Sequence, residues 1–237
     1  MLRSQLIQEL VQLITSIKLK HPIRVAIDGI DAAGKTILAN ELVAPLEAQG
    51  RHVIRASIDG FHHPRDIRYR HGPNSPEGYY LDSFNYEAIK TLLLQPLGSE
   101  GDRQYRLAVF DFRTNSHVSS PICQARADSI LLFDGVFLLR PELYEWWDFT
   151  LFLDVEFDLS VERASQRDQA LFGQAEQVRA HYWQRYVPGQ RIYLQTCHPN
   201  ERANVVIDNN DPLNPELRLM QVIQSLNSEQ EANDGSL

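Results

Sequence analysis

The eight residues Gly29-Ile30-Asp31-Ala32-Ala33-Gly34-Lys35-Thr36 constrain this chain more than any other stretch of it. They fit G-x-x-x-x-G-K-[ST], a phosphate-binding loop, at every required position. The flanks agree, because Ile23 to Ile27 reads as a buried strand and Ile37 to Glu47 as a helix. A strand feeding a Gly-rich turn that opens a helix aims several backbone N–H groups, and the positive end of the helix dipole, at one point. A triphosphate is the natural occupant, with Lys35 on its β- and γ-phosphate oxygens and the Thr36 hydroxyl on Mg²⁺. The competing reading is a Gly-rich turn that caps an ordinary βα unit. Against it, the chain has only four lysines (Lys18, Lys20, Lys35, Lys90) beside nineteen arginines, so Lys35 is not drawn from a lysine-rich surface.

A length of 237 residues with 43% hydrophobic content suits one domain, or one domain with an attached lid. The formal net charge of −8 argues against nucleic acid as the main partner, since phosphate backbones need compensating cations. Cys123 and Cys197 lack the spacing of a zinc site or a disulfide framework and read as reduced thiols of a cytoplasmic protein. Leu2, Leu6, Ile7, Leu10, Leu13, Ile14 and Ile17 recur at helical spacing with polar residues between them, which predicts an amphipathic helix rather than a signal sequence. No later run reaches membrane-spanning length. The organisation expected is an N-terminal helix over 1–21, a nucleotide-binding domain over 22–227 with a lid at roughly 160–200, and a frayed polar tail over 228–237.

Apolar runs at His52–Ile58, Arg106–Phe110, Ser129–Asp134, Phe149–Asp154 and Ala203–Asp208 read as further strands. Helical stretches are expected at Phe84–Leu94, Leu159–Phe172, Gln174–Leu194 (interrupted by Pro188-Gly189) and Pro215–Leu226. Asp59 to Ser83, rich in Gly and Pro, reads as a long irregular segment, and such connections are usually functional or disordered. Strands alternating with helices give an α/β fold with a mostly parallel sheet.

A phosphate loop alone does not separate a kinase from a GTPase, a motor or a transporter subunit. The chain has no N-K-x-D guanine-reading motif and no L-S-G-G-Q signature. Asp134 ends an apolar strand, where a carboxylate supports Mg²⁺, although an Asp there also starts turns. Asp59 ends the second strand within S-I-D-G-F-H-H. Ligands of open α/β sheets bind beyond the carboxyl ends of the strands, so Asp59 is placed to take a proton from an attacking hydroxyl; a helix cap is the alternative. Gly60 would then let the backbone approach the substrate, with Phe61 and His62 beside it. Arg163 and Arg167 lie four apart, on one helical face, as cations for a γ-phosphate or as members of surface ion pairs. The arginines Arg65, Arg68 and Arg70, with Tyr69, Tyr79 and Tyr80, line an acceptor pocket or form a solvated face. His62, His63 and His71 lack zinc-ligand spacing. Trp146, Trp147 and Trp183 read as core or helix-packing residues.

With those residues in place, the chain resembles the uridine kinase/phosphoribulokinase family of P-loop kinases over roughly residues 22–210. The resemblance rests on V-A-I-D-G-I-D-A-A-G-K-T, S-I-D-G-F-H, V-F-D-F at 109–112, L-L-F-D-G-V-F at 131–137, F-L-D-V-E-F-D at 152–158 and E-R-A-S-Q-R-D at 162–168, in matching order. It implies the P-loop NTPase fold with a mostly parallel five-stranded sheet, a helical lid carrying arginines, and the cofactors ATP and Mg²⁺. By position it implies that Asp59 is the catalytic carboxylate, that Lys35 and Thr36 are the phosphate-loop pair, that Asp134 stands where the family usually has Glu, and that Arg163 and Arg167 are the lid arginines.

Where nucleoside-specific members carry Y-D-F-x-x-H, this chain has Phe110-Asp111-Phe112-Arg113-Thr114-Asn115, so both base-contacting groups are changed; Phe110 and Arg113 stand on the acceptor side. R-Y-V-P-G-Q-R at 185–191 is absent from the typical lid, and S-P-E-G-Y-Y at 75–80 loosely resembles the acceptor region of pantothenate kinases. The resemblance therefore implies ATP-dependent phosphotransfer to a hydroxyl of a small metabolite. A uridine- or cytidine-like nucleoside comes first as acceptor, and pantothenate, a sugar phosphate or another vitamin-like alcohol second. A non-catalytic ATP-binding regulatory module is the rival from another class. Neither nucleic acid nor membrane is expected as a partner, and a homo-oligomer is left open.

Overall fold

The computed structural model describes residues 1–219. Its centre is β1 (Ile23–Gly29), whose apolar run is buried on both faces. β3 (Ile130–Asp134) pairs with it on one side and β4 (Phe149–Asp154) on the other, both parallel. β2 (Val53–Ser57) adds to β3, and β5 (Val205–Asp208) adds to β4, again parallel. β6 (Glu216–Leu219) closes the edge antiparallel to β5, so the order is β6-β5-β4-β1-β3-β2. The five parallel strands agree with expectation; the sixth does not. The Pro215–Leu226 helix is replaced, over its described part, by strand β6. The apolar-polar alternation of residues 216–219 finds a free sheet edge there, and an edge rewards period two over period 3.6. Residues 220–226 and the tail at 228–237 lie outside the described residues.

Alternation along each buried strand feeds two cores. Val25 and Ile27 of β1 and Ile130 and Leu132 of β3 face one layer with Leu38, Leu42 and Leu46 of α2 (Lys35–Ala48). Leu6, Leu10 and Ile14 of α1 (Arg3–Ser16) complete that layer. Each such fully buried Leu or Ile contributes about 1.5–3 kcal/mol relative to exposure. Ala26, Leu131 and Phe133 face the opposite layer, where Phe61, Leu93, Phe137 and Tyr193 pack.

Asp59 to Ser83 is not irregular. It holds a 3₁₀ turn at Ile58–Phe61, a helical turn at Arg65–Arg68 and α3 (Pro76–Asp82). Ser75 caps α3 by accepting from the Gly78 N–H at 3.0 Å, and Pro76 occupies the first turn, where its missing N–H costs nothing. These elements are too short to show periodicity. Conversely, Arg106 to Val109 forms no strand; only two-residue ladders occur nearby, Phe110–Asp111 with Ser116–His117 and Gln104–Tyr105 with Cys123–Gln124.

The lid consists of α4 (Phe157–Arg167), a turn at Gln169–Phe172, α5 (Ala175–His181) and α6 (Val187–Cys197). Pro188 does not interrupt the run. The π-helical stretch Tyr182–Tyr186 widens the turn just before it, the Val187 N–H reaching back to the Tyr182 carbonyl, and this accommodates the missing donor. Trp147 is buried and donates from Nε1 to the Leu138 carbonyl at 2.9 Å, but Trp183 is 40% exposed, so it lies on the surface rather than in packing. No helix among the described residues is long and apolar enough to cross a membrane.

Candidate active site

The carboxyl ends of β1, β3 and β2 share one edge of the sheet. Asp134 stands level with Ile27 on one neighbour and Ser57 on the other, so the phosphate loop, Asp134 and Asp59 leave the sheet side by side. Gly34 has φ +98°, a conformation that costs an L side chain and lets the loop turn into α2. Three elements grip the loop. The Asn209 amide, just past β5, donates to the Ala33 carbonyl at 2.7 Å, the Ser160 hydroxyl of α4 donates to the Asp31 carbonyl at 2.6 Å, and Gln190 of α6 accepts from the Asp31 N–H at 3.2 Å. Lys35 Nζ donates to the Ile30 carbonyl at 2.6 Å. Burial lowers its pKa, against the pull of Asp31, Asp28 and Asp134.

The Thr36 hydroxyl donates to Asp134 Oδ2 at 2.5 Å, and Arg55 Nη2 donates to Asp134 Oδ1 at 2.7 Å. Hydroxyl and carboxylate oxygens side by side at the phosphate loop are the hard donors that Mg²⁺ prefers, so the residues fit that ion. Asp59 lies in the 3₁₀ turn after β2 and is exposed to solvent. The surrounding residues nevertheless desolvate its carboxylate. That desolvation, then the charge of Asp134, raises its pKa; Lys35, Arg167 and Arg113 act in the opposite sense. Asp134, Lys35, Arg167 and Arg113 thus all lie close enough for their charges to act on Asp59. Gly60 serves packing rather than substrate: a Cβ there would lie 2.8 Å from the Leu107 carbonyl oxygen and 2.9 Å from the Ala108 Cβ.

The two lid arginines part company. Arg167 pairs with Asp168 through two hydrogen bonds of 2.7 and 2.9 Å and reaches the Tyr182 hydroxyl, close enough to act on Asp31 and Asp59. Arg163 instead donates to the carbonyls of Asn209 and Asn210 at 3.0 and 2.9 Å. It braces the loop after β5, and the expectation that both guanidiniums cover the γ-phosphate is corrected accordingly. The i, i+4 spacing sets a shared face, and the neighbours decide what each group meets.

On the acceptor side, His62 lies between the rings of Phe84 and Phe112, with centroids 4.5 and 4.7 Å away, and its Nδ1 is 3.0 Å from the Asp59 carbonyl. Burial pushes it down to about 4, so it is neutral at pH 7. Arg113 sits over the outer side of Phe112 at 5.7 Å. Arg68 donates to the His63 carbonyl at 2.8 Å, and the Tyr79 hydroxyl donates to Asp31 Oδ2 at 2.8 Å. Two residues expected on the acceptor side turn inward instead. Phe61 is 0% exposed against Phe133, and Phe110 is 3% exposed with its ring edge-on to His117, so neither side chain has surface to offer. Arg70 is paired with Asp82, and Tyr80 turns toward Thr196 and Cys197.

Four residues at the site carry little sequence signal. Arg55, Asn209 and Gln190 come from separate elements; only the charge inside the V-I-R-A-S strand marks Arg55. Asp28 is the fourth. Fully buried at the end of β1, it accepts from the Gly29 N–H at 2.7 Å, the Leu139 N–H at 3.3 Å and the Tyr193 hydroxyl of α6. Burial raises its pKa from 3.8 to about 6 despite those donors. The native carboxyl therefore holds its proton more strongly than the unfolded chain does. Its contribution to stability is full below pH 3.8 and is lost as pH rises to about 6. Asp28→Asn, which stays neutral, should gain on the wild type by up to about 3 kcal/mol across that window. Denaturant unfolding of both proteins between about pH 4 and pH 7 checks this; a stability difference that stays constant with pH rules it out.

No protein-family model matches the chain. Uridine-cytidine kinase A of Dictyostelium discoideum is 26% identical over 170 residues, covering 71% of this chain and 32% of that protein, so the chain spans about a third of that relative's length. Uridine kinase of Streptococcus equi subsp. zooepidemicus is 25% identical over 207 residues, covering 80% of this chain and 88% of that protein. The solved structure of a possible uridine kinase from Bacillus stearothermophilus superposes with a TM-score of 0.66 at 27% identity, over 84% of this chain and 96% of that one.

Proposed function

We propose, for a chain that belongs to the uridine kinase/phosphoribulokinase-like P-loop kinases, that it transfers the γ-phosphoryl group of ATP to a hydroxyl of a uridine- or cytidine-like nucleoside. At the coarser level it is a kinase of small metabolites. One observation carries the reading: a carboxylate just past β2, Asp59, lies close enough to the phosphate-loop Lys35 and the lid Arg167 for both charges to act on it.

Phosphoryl transfer is mostly positioning and charge stabilisation, and each residue has a part in that. Residues 29–36 present main-chain N–H groups, and Lys35 an ammonium, to the phosphate tail. Asp59 orients the acceptor hydroxyl and takes its proton as the new P–O bond forms. Its raised pKa makes it a better base than an ordinary carboxylate. Arg167 stabilises charge that develops on the transferred group, and Arg163 acts indirectly, by holding Asn209, which holds Ala33. Thr36 and Asp134 would hold Mg²⁺, which when bound neutralises phosphate charge. Docking of α6 on the loop limits water, the competing acceptor.

A second reading, transfer to an anionic alcohol such as pantothenate or a sugar phosphate, is favoured by Arg68 and Arg113. Neither makes an ion pair among the described residues, and they act on His62 and Asp59 respectively. ADP release with uridine, cytidine, pantothenate and sugar phosphates tests both. Uridine or cytidine is expected to raise it at least tenfold over ATP alone, an effect of about 1.4 kcal/mol or more in barrier. Stimulation by an anionic alcohol alone would transfer the assignment to the second reading. Stimulation by none would leave a nucleotide-binding module without turnover.

A further inference from the structure

We propose that Asp31, inside the phosphate loop, binds a second hydroxyl of the acceptor, so that the site selects polyhydroxylated compounds over simple alcohols. The inference rests on the preceding assignment of Asp59 to the reactive hydroxyl.

One oxygen of Asp31 is fully engaged. Oδ2 accepts from the Tyr79 hydroxyl of α3 at 2.8 Å and from Gln190 Nε2 of α6 at 2.7 Å. Gln190 also accepts from the Asp31 N–H, so its amide clamps main chain and side chain together. Both partners are themselves buried, at 6% and 1% exposure, which holds that oxygen in place. The other oxygen, Oδ1, takes no partner among the described residues, and it is not sealed from solvent. Lys35, Arg167 and Asp59 are all close enough for their charges to act on Asp31, and Asp31 in turn acts on His62. Asp31 therefore belongs to the same charged cluster as Asp59, on the side of the phosphate loop.

A carboxylate there carries a standing cost. Burial and the like charge of Asp59 both disfavour its ionised form, and bound phosphates would add to that. Holding Tyr79 and Gln190 does not need the charge, because a neutral amide oxygen accepts the same two bonds. What a carboxylate adds is a second strong acceptor, and a hydroxyl on an anionic oxygen makes one of the stronger hydrogen bonds available. An acceptor lacking that hydroxyl would leave Oδ1 without a partner after water is displaced, which is how a polar site rejects a deoxy analogue.

The test uses two probe pairs: uridine against its dideoxy analogue that keeps only the primary hydroxyl, and pantothenate against its analogue lacking the secondary hydroxyl. The wild type is expected to lose about 10- to 100-fold in kcat/KM on losing the second hydroxyl. Asp31→Asn and Asp31→Glu, checked for fold by ATP binding, separate binding from scaffolding. Asp31→Asn should bring the ratio within each pair toward one, and Asp31→Glu should keep part of it. An equal loss on both members of a pair, with the ratio unchanged, would mean that Asp31 only holds Tyr79 and Gln190, and the proposal falls. Absence of discrimination by the wild type overturns it as well. If neither parent compound is phosphorylated, the acceptor assignment of the preceding subsection fails and takes this one with it.

Discussion

Asp59→Asn is expected to lower acceptor-dependent phosphotransfer by about two to four orders of magnitude while leaving ATP binding close to that of the wild type. The amide keeps the size and one acceptor oxygen of the carboxylate and loses the ability to take a proton. Among the described residues, the Asp59 side chain makes no hydrogen bond to the loop; its N–H donates to the Ser57 hydroxyl, and its carbonyl meets His62. The substitution also removes a negative charge that faces Asp134. Nucleotide affinity should thus hold or rise slightly as turnover collapses. Isothermal titration with ATP, beside ADP release with acceptor, reads the two effects separately. Unchanged turnover would remove the base, and parallel loss of ATP affinity would show a general disturbance of the loop. In the wild type, the raised pKa of Asp59 places the acid limb of kcat/KM above the ordinary carboxylate range, with activity falling as pH drops through it.

The second large effect is expected from Lys35→Ala, which should lower the rate by about 100- to 1000-fold and weaken ATP binding by about tenfold or more. Lys35 is the buried cation among Asp28, Asp31 and Asp134, and its charge counters their repulsion. Without it these acids are left closer to unpaired, so Asp28 and Asp31 should hold their protons to higher pH. ATP titration, single-turnover kinetics and thermal unfolding of the variant together separate loss of phosphate contact from loss of fold. Wild-type kinetics in a folded variant would refute the phosphate-loop assignment.

The parts of the site that were legible in the chain are those whose chemistry is local. Residues 29–36 make a phosphate cradle because strand, turn and helix follow one another directly, and Asp59 and Asp134 declare themselves by ending apolar strands. The α/β class follows from the same alternation. Less legible were groups whose role depends on what arrives from elsewhere. Asp28 looks like any strand-ending acid until Tyr193, 165 residues later, covers it. Gln190 lies in a segment read as a helix break, but the π-helical turn before Pro188 carries the helix on and brings the amide onto Asp31. Phe110 turns inward because neighbouring residues of an extended chain point to opposite sides, and Phe61, at the end of a 3₁₀ turn, packs onto Phe133.

By itself, then, the order of residues determined the nucleotide cradle, the parallel sheet behind it and the acid beyond β2, since each depends on neighbours within a few peptide units. Which of two lid arginines stays near Asp31 and Asp59, which carboxylates are forced toward neutrality and which aromatic rings stay available were decided only in three dimensions. The physical reason is that burial and charge coupling depend on distance in space, and the lid, the loop after β5 and α3 reach the cradle only when the chain has folded.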